Sequence, residues 1–177
     1  MFETIRSKTL YTGPSYSFSV DTIMLPNGKP YDLEQLHHPG GVVVLALDGN
    51  GRIPMVRQYR YGVKQELLEL PAGKLDKTPG ESPEKGALRE LEEETGCEGE
   101  HIKLLGIAYP SPGVVTEVLH IYMASIKGQT NQELDAEEFI KVEWYEKDTL
   151  RMMIADNTIK DAKTICAFSM AMLKGWL

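Results

Sequence analysis

A continuous apolar run in the first third of the chain restricts its fold more than any other feature. Val42–Leu47 are all apolar and include three valines, a composition typical of a strand that is buried on both faces. Turn residues follow at Asp48–Gly51, and the chain is expected to turn back there into a second strand, Ile53–Tyr59. The run therefore predicts the start of a central sheet.

The remaining segments favour a mixed arrangement of strands and helices. Strands are expected at Ser17–Met24, Glu66–Leu70, Val114–Ser125 and Phe139–Trp144, and helices at about Pro83–Thr95, Asp148–Ala155 and Asp161–Lys174. Because several strands separate the helices, this order indicates an α/β protein with a mixed sheet between helices rather than a regular βαβ array. A small N-terminal β unit, residues 1–40, precedes the main domain, residues 41–177.

Charge and composition exclude several classes of protein. The chain has 19 basic and 26 acidic residues, a net charge of −7, and no run of lysines or arginines, so neither nucleic acid nor membrane is expected as a partner. Without a signal-peptide region or an apolar run near the ~20 residues of a membrane span, a cytoplasmic location is the default expectation. Cys97 and Cys166 lack metal-type spacing, which favours free thiols over a disulfide or a zinc site.

The helix expected at Pro83–Thr95 carries clustered acidic residues. A serine N-cap, a proline in the first turn and a glycine stop bound it. Glu90, Glu93 and Glu94 are three and four residues apart, so their carboxylates converge on one face. This is either a solvated acidic face or a site where a divalent cation relieves the repulsion. Oxygen ligands alone select Mg²⁺ first and Mn²⁺ second.

The segment around this helix favours the metal site. From Gly73 to Cys97 the chain reads GKLDKTPGESPEKGALRELEEETGC. It resembles the Nudix box, G-x5-E-x7-R-E-U-x-E-E-x-G-U with U apolar, and the matching residues are Glu81, Arg89, Glu90, Leu91, Glu93, Glu94, Gly96 and Cys97. Seven residues rather than five separate Gly73 from Glu81. The loop thus carries a two-residue insertion, while the helical part of the box is intact.

The resemblance implies a Nudix α/β/α sandwich and assigns the metal site. Glu90 and Glu94 would be the principal ligands of Mg²⁺, which Mn²⁺ could replace. Glu93 would contact the metal directly or through water, and the carbonyl of Ala72 would complete the shell. Arg89 would hold a glutamate carboxylate in place, the alternative being a surface ion pair with Glu93.

Residues outside the box indicate the substrate class. Pro112 lies sixteen residues after Gly96, a spacing that resembles ADP-ribose pyrophosphatases within the family. The segments Val56–Arg60 and Glu66–Gly73 are similar to the same subfamily, which extends the resemblance over roughly Val42–Lys174. The implied activity is hydrolysis of the pyrophosphate bond of a nucleoside diphosphate sugar such as ADP-ribose.

Four residues are expected to contact the phosphates or the sugar. By the resemblance, Arg60 is the best match for the arginine that holds the phosphates and Arg57 is the second, because a guanidinium can bind two phosphate oxygens. Either could instead be a surface arginine. The Asp161-x-Lys163 pattern resembles that of relatives that accept several nucleoside diphosphate sugars, GDP-mannose among them. Their alternative role is ordinary chemistry at a helix start.

The N-terminal unit is expected to exchange with a second subunit, as in this subfamily, which predicts a homodimer. Tyr16 and Phe18 would stack on the base, which is worth ~1–3 kcal/mol and tolerates different bases; core packing is the alternative for both. Glu66 and Glu69 would contact the substrate or the other subunit.

The reaction would be attack of water on a phosphorus of the pyrophosphate, which gives a nucleoside monophosphate and a sugar phosphate. By the resemblance, the base comes from a loop before a late strand. Counting back from Val142, Glu138 aligns best, and Glu137 is the reserve.

Three alternatives to this function stay open. The first is a Nudix enzyme for a dinucleoside polyphosphate or a nucleoside triphosphate. The second is a noncatalytic Nudix-like sensor of ADP-ribose, against which the intact Glu90, Glu93 and Glu94 count. The third is a structural or interaction protein with an acidic helix.

Overall fold

The central apolar run forms a strand that lies between two layers of the fold. The computed structural model describes residues 2–76, 80–136 and 138–177. The strands are β1 (Glu3–Thr12), β2 (Ser17–Met24), β3 (Pro30–His37), β4 (Gly41–Leu47), β5 (Arg52–Arg60), β6 (Gln65–Glu69), β7 (Ala72–Lys74), β8 (Cys97–Ala108), β9 (Leu119–Gln129) and β10 (Lys141–Glu146). The helices are α1 (Pro83–Thr95), α2 (Lys147–Ala155) and α3 (Ala162–Leu173).

These strands form three sheets. The four-stranded sheet has the order β7-β4-β9-β8 and is mixed, because β4 runs parallel to β9 and antiparallel to β7. The second sheet, β10-β5-β6, and the N-terminal sheet, β1-β2-β3, are each three-stranded and antiparallel. The predicted α/β class with a mixed sheet is therefore confirmed.

Alternate residues of β4 explain how both of its faces become buried. Val43 and Leu45 pack in one core cluster with Phe168 of α3. Val44 faces the other way and packs with Leu91 of α1. All three of these β4 side chains are 0% exposed, and burial of each contributes ~1.5–3 kcal/mol. The opposite faces of one strand thus bind the first and last helices.

One expectation about strands held in part and another was wrong. The turn at Asp48–Gly51 leads into a strand, β5, as expected, but β5 joins the second sheet because β7 and β9 occupy both edges of β4. The strand expected from Val114 begins only at Leu119. The strands β1 and β8 were not predicted, since every residue of β1 is exposed and only two residues of β8 are buried.

Other expectations agree with the structure. The helix Pro83–Thr95 has the predicted bounds, with Ser82 as N-cap and Gly96 at a φ of 69° as the left-handed stop. Cys97 and Cys166 are free. In the described ranges, no helix is both long enough and apolar enough to cross a membrane.

An ion pair joins β5 to β10 in the second sheet. Arg57 donates from Nε and Nη2 to the two carboxylate oxygens of Glu143, with an Nη2–Oε2 distance of 3.0 Å. The bond to Arg57 lowers the pKa of Glu143 from 4.5 to about 2, against the opposing effect of burial. The ionised carboxylate is therefore favoured by folding.

Glu143→Gln is expected to lower the free energy of unfolding at pH 7 by roughly 1–2 kcal/mol, because one charge-assisted pair of partial exposure is lost. The folded pKa lies below the unfolded one, so this stabilisation is full above pH 4.5 and is lost as the pH falls towards about 2. Urea unfolding of both proteins should show the difference shrinking to roughly half or less by pH 3. A difference independent of pH would contradict this role of Glu143.

Candidate active site

The acidic face of α1 lies against β7. Glu90 and Glu94 are only 4% and 3% exposed. Oε2 of Glu94 accepts a hydrogen bond of 2.8 Å from the backbone N–H of Ala72. The two carboxylates are therefore held beside the strand that precedes the loop of the box, and neither belongs to a solvated acidic face.

Gly73 permits this close approach. A Cβ atom built on Gly73 would lie 2.0 Å from Cδ of Glu90, well inside van der Waals contact. The backbone of β7 and the Glu90 carboxylate thus share a space that only glycine leaves open.

Arg89 links three carboxylates of the box. Its Nη1 donates to Oε1 of Glu90 at 2.7 Å and to Oε2 of Glu93 at 2.9 Å. Its Nη2 donates to Oε2 of Glu81 at 3.0 Å. The side chain of Arg89 is 19% exposed. Its bonds to Glu81 and Glu90 therefore go beyond the surface ion pair with Glu93, which was the alternative.

The carboxylate of Glu94 lies in surroundings that disfavour its ionised form. Burial, together with the charges of Glu90 and Glu138, raises the pKa of Glu94 to about 8, although the N–H of Ala72 and the charge of Lys163 oppose them. Within residues 2–76, 80–136 and 138–177, no three His, Cys, Asp or Glu side chains are arranged as a ready metal cluster. The donors that fit a hard cation are thus the carboxylates of Glu90 and Glu94 beside the main chain of β7.

A cavity of about 750 Å³ opens beside these carboxylates. The predicted site residues that line it are Tyr16, Arg60, Ala72, Glu90, Glu94, Glu138, Asp161 and Lys163. The predicted residues that do not line it are Phe18, Arg57, Glu66, Arg89, Glu93 and Pro112. Glu137, the reserve base, lies outside the described residues, as does part of the inserted loop. The structure thus brings together residues from distant parts of the sequence.

The two candidate arginines of β5 have different surroundings. Arg57 and Arg60 are three residues apart, so their side chains leave opposite faces of the strand. Arg57 pairs with Glu143 away from the cavity. Arg60 lines the cavity and donates to both oxygens of Glu69, at 2.7 and 2.6 Å.

The positions of Asp161 and Lys163 are compatible with both of the roles considered for them. Asp161 is the N-cap of α3, where Oδ2 accepts from the N–H of Thr164 at 3.0 Å. Lys163 donates to Oδ1 of Asp161 at 2.9 Å and also to Glu69. Because both residues line the cavity, capping and a position beside a ligand are compatible.

The loop that carries Glu138 is tied to the end of α1. The side-chain amide of Gln132 donates to the carbonyl of Glu94 at 2.6 Å, and the N–H of Glu133 donates to the carbonyl of Glu93 at 2.9 Å. Glu138 then closes a turn, since its Oε2 accepts from the N–H of Asp135 at 3.0 Å. Gln132 was not predicted, because no local pattern relates it to a helix end 38 residues earlier.

An aromatic residue lies at the N-terminal side of the cavity. The ring of Tyr16 is 5.2 Å from that of His38, and Nζ of Lys74 is 5.4 Å from the Tyr16 ring centre. Tyr16 is 40% exposed, so part of its side chain is open to solvent. Phe18 lies within β2 instead.

Comparisons with known proteins identify the family. Residues 37–168 match the family of the NUDIX domain. The chain belongs to this family. It is 37% identical to an ADP-ribose pyrophosphatase of Bacillus subtilis over 97% of this chain and 93% of that protein. It is 39% identical to a methanol dehydrogenase activator of Bacillus methanolicus, over 93% and 89% of the two chains.

Two further likenesses concern the subfamily and the fold. A GDP-mannose pyrophosphatase of Yersinia enterocolitica is 34% identical over 78% of this chain and 75% of that protein. A crystal structure titled ADP compounds hydrolase superposes with a TM-score of 0.82 at 18% identity, covering 99% of this chain and 94% of the other. The predicted Nudix family and fold are confirmed, and the expected pyrophosphatase class agrees with the names of these relatives.

Gly73→Ala tests the packing of β7 against α1 in this Nudix site. The new methyl group would push away the flexible end of Glu90, so the midpoint of thermal unfolding should change by about 3 °C or less. The affinity for Mn²⁺, measured by electron paramagnetic resonance, should fall roughly tenfold or more. Gly62→Ala is the control, because open space surrounds Gly62. Unchanged Mn²⁺ affinity in Gly73→Ala would show that Glu90 binds no metal here.

Proposed function

We propose that this Nudix chain hydrolyses the pyrophosphate bond of nucleoside diphosphate sugars, ADP-ribose and GDP-mannose among them, to a nucleoside monophosphate and a sugar phosphate. The observation that carries the proposal is the composition of the cavity wall. Glu90, Glu94 and Glu138 lie on the same cavity as Arg60 and Lys163. A diphosphate is stabilised by positive charge around it. Arg60 and Lys163 supply part of this charge, and a metal ion bound by the carboxylates would supply the rest. The names of the relatives indicate the same substrates.

The metal site consists of oxygen donors. Glu90, Glu94 and the carbonyl of Ala72 would hold Mg²⁺, or Mn²⁺ in its place, with Glu93 in direct or water-mediated contact. The close approach at Gly73 and the raised pKa of Glu94 support this assignment. A bound divalent ion would neutralise the diphosphate and lower the pKa of the attacking water.

The protein's own groups orient the substrate and accept the proton. Arg60 uses Nε and Nη2 for Glu69, so its Nη1 is the edge that meets a phosphate. Lys163 contacts the sugar or its phosphate, and Asp161 holds Lys163 in place. Glu138 accepts a proton from the attacking water, with Glu137 as the reserve. Tyr16 stacks on the base.

The box also contains a residue that acts through others. Arg89 contacts Glu90 and Glu93 but does not line the cavity. Its proposed role is to hold these two carboxylates in the orientation that metal binding requires.

The N-terminal β unit, residues 1–40, is proposed as the dimer contact of a homodimer whose catalytic domain is residues 41–177. Phe2, Ile5, Leu10 and Tyr11 on or next to β1 are 63, 53, 52 and 64% exposed. Exposed apolar side chains of this kind favour burial against a second copy.

Sedimentation should give a dimer for the full chain and a monomer for a chain that begins at Gly40. A dimeric truncation would exclude this contact.

The function is tested by a panel of substrates with and without Mg²⁺. ADP-ribose and GDP-mannose should be hydrolysed only with the metal, and faster than a dinucleoside polyphosphate or a nucleoside triphosphate.

Glu94→Gln should lower turnover by roughly 100-fold or more with the fold intact, because one ligand charge is lost at nearly constant shape. Glu92→Gln, on the exposed side of the same helix, is the control. Wild-type binding of ADP-ribose without turnover would instead indicate a sensor.

Substrate breadth should depend on Lys163. The wild-type enzyme should hydrolyse ADP-ribose and GDP-mannose with similar kcat/KM, and Lys163→Ala should weaken the hexose substrate selectively. A lost hydrogen bond to a charged group is worth ~1.5–3 kcal/mol, which is a roughly tenfold to hundredfold change in the ratio of kcat/KM values. An equal loss on both substrates would assign Lys163 to phosphates that they share.

A further inference from the structure

Glu69 is a buried carboxylate with two cationic partners. It is 1% exposed at the end of β6. Both of its oxygens accept from Arg60, at 2.7 and 2.6 Å, and Oε2 also accepts from Lys163. Burial raises the pKa of Glu69, but the bonds and charges of Arg60 and Lys163 outweigh it, so the pKa is lowered from 4.5. Glu69 is therefore an anion inside the fold.

The two partners face the cavity whereas Glu69 does not. Arg60 and Lys163 are part of its lining, and Glu69 lies behind them. The side chains of Arg60 and Lys163 are 40% and 18% exposed, against 1% for Glu69. A ligand in the cavity would thus touch both cations without touching the carboxylate that holds them.

The backbone beside Glu69 is fixed to the same helix start. The N–H of Leu70 donates to Oγ1 of Thr164 at 2.8 Å, and this hydroxyl donates to Oδ2 of Asp161 at 2.6 Å. Oδ1 of Asp161 accepts from Lys163. Glu69 therefore connects β5, β6 and the start of α3 through hydrogen bonds of defined geometry.

We propose that Glu69 is a positioning residue for substrate binding, which orients Arg60 towards the diphosphate of the nucleotide sugar and Lys163 towards the sugar or its phosphate. This inference rests on the proposed function. Arg60 and Lys163 both donate to Oε2 of one carboxylate, so without its charge the two cations would repel each other. Arg60 would then lose its two-point orientation, and both side chains would move from the place where they meet the substrate.

The test compares Glu69→Gln with the wild type. The substitution should raise KM for ADP-ribose roughly tenfold to hundredfold and change kcat by about threefold or less, because the carboxylates of α1 are untouched and the lost interactions bind substrate and transition state alike. The Kd for ADP-ribose, measured by calorimetry with a metal chelator so that no hydrolysis occurs, should rise by a similar factor. Glu143→Gln is the matched control, since it removes another carboxylate paired with an arginine of β5 but lies away from the cavity.

A second set of variants separates positioning from general structural support. In a protein that already carries Arg60→Ala and Lys163→Met, Glu69→Gln should cause no further rise in KM or Kd. If Glu69→Gln alone does not fold, Glu69→Gln/Lys163→Met keeps the charge of the cluster, and its KM should exceed that of Lys163→Met by roughly tenfold through Arg60.

Three results would overturn the inference: an unchanged KM in Glu69→Gln, a fall in kcat at constant KM, or a full effect in the protein that lacks both cations. A wild-type enzyme that neither binds nor hydrolyses ADP-ribose would overturn the proposed function instead. The two failures are therefore distinguishable.

Discussion

The contact between α1 and β7 is the constraint on which the site depends. Glu94 accepts from the N–H of Ala72, and Gly73 leaves room for the Glu90 carboxylate. Because β7 also pairs with β4, this contact connects the acidic helix to the most buried strand of the fold. Burial of charged carboxylates is costly, and the bonds from Ala72 and Arg89, together with Leu91, which packs beneath the helix, hold them in place.

Two buried carboxylates near the cavity differ in how their charge is compensated. The pKa of Glu69 is lowered from its ordinary value by two cations of the protein, although burial opposes them. The pKa of Glu94 is raised to about 8 by burial and by other carboxylates. Glu69 therefore has its counter-charges within the fold, whereas Glu94 lies where a cation from solution would be stabilised most.

Features that depend on local sequence were predictable, and those that depend on distant partners were not. The bounds of α1 followed from Ser82 and Gly96, since caps act within one turn. The sheet of β5 did not follow from its turn, because pairing with β10 joins segments far apart in the sequence. For Glu69 only a contact with the substrate or the other subunit was expected, because its partner Lys163 is 94 residues away in the sequence.

The end of α1 also determines where the proposed base lies. The last carbonyls of a helix have no partner within the helix, and here those of Glu93 and Glu94 are bonded by the segment that leads to Glu138. The closing turn at Asp135 then places Glu138 on the cavity wall and within electrostatic reach of Glu94. The same helix therefore holds the carboxylates of the proposed metal site on one face and the loop of the proposed base at its end. A change in the position of α1 would move Glu90, Glu94 and this loop together, so the distance between Glu94 and Glu138 depends largely on one element.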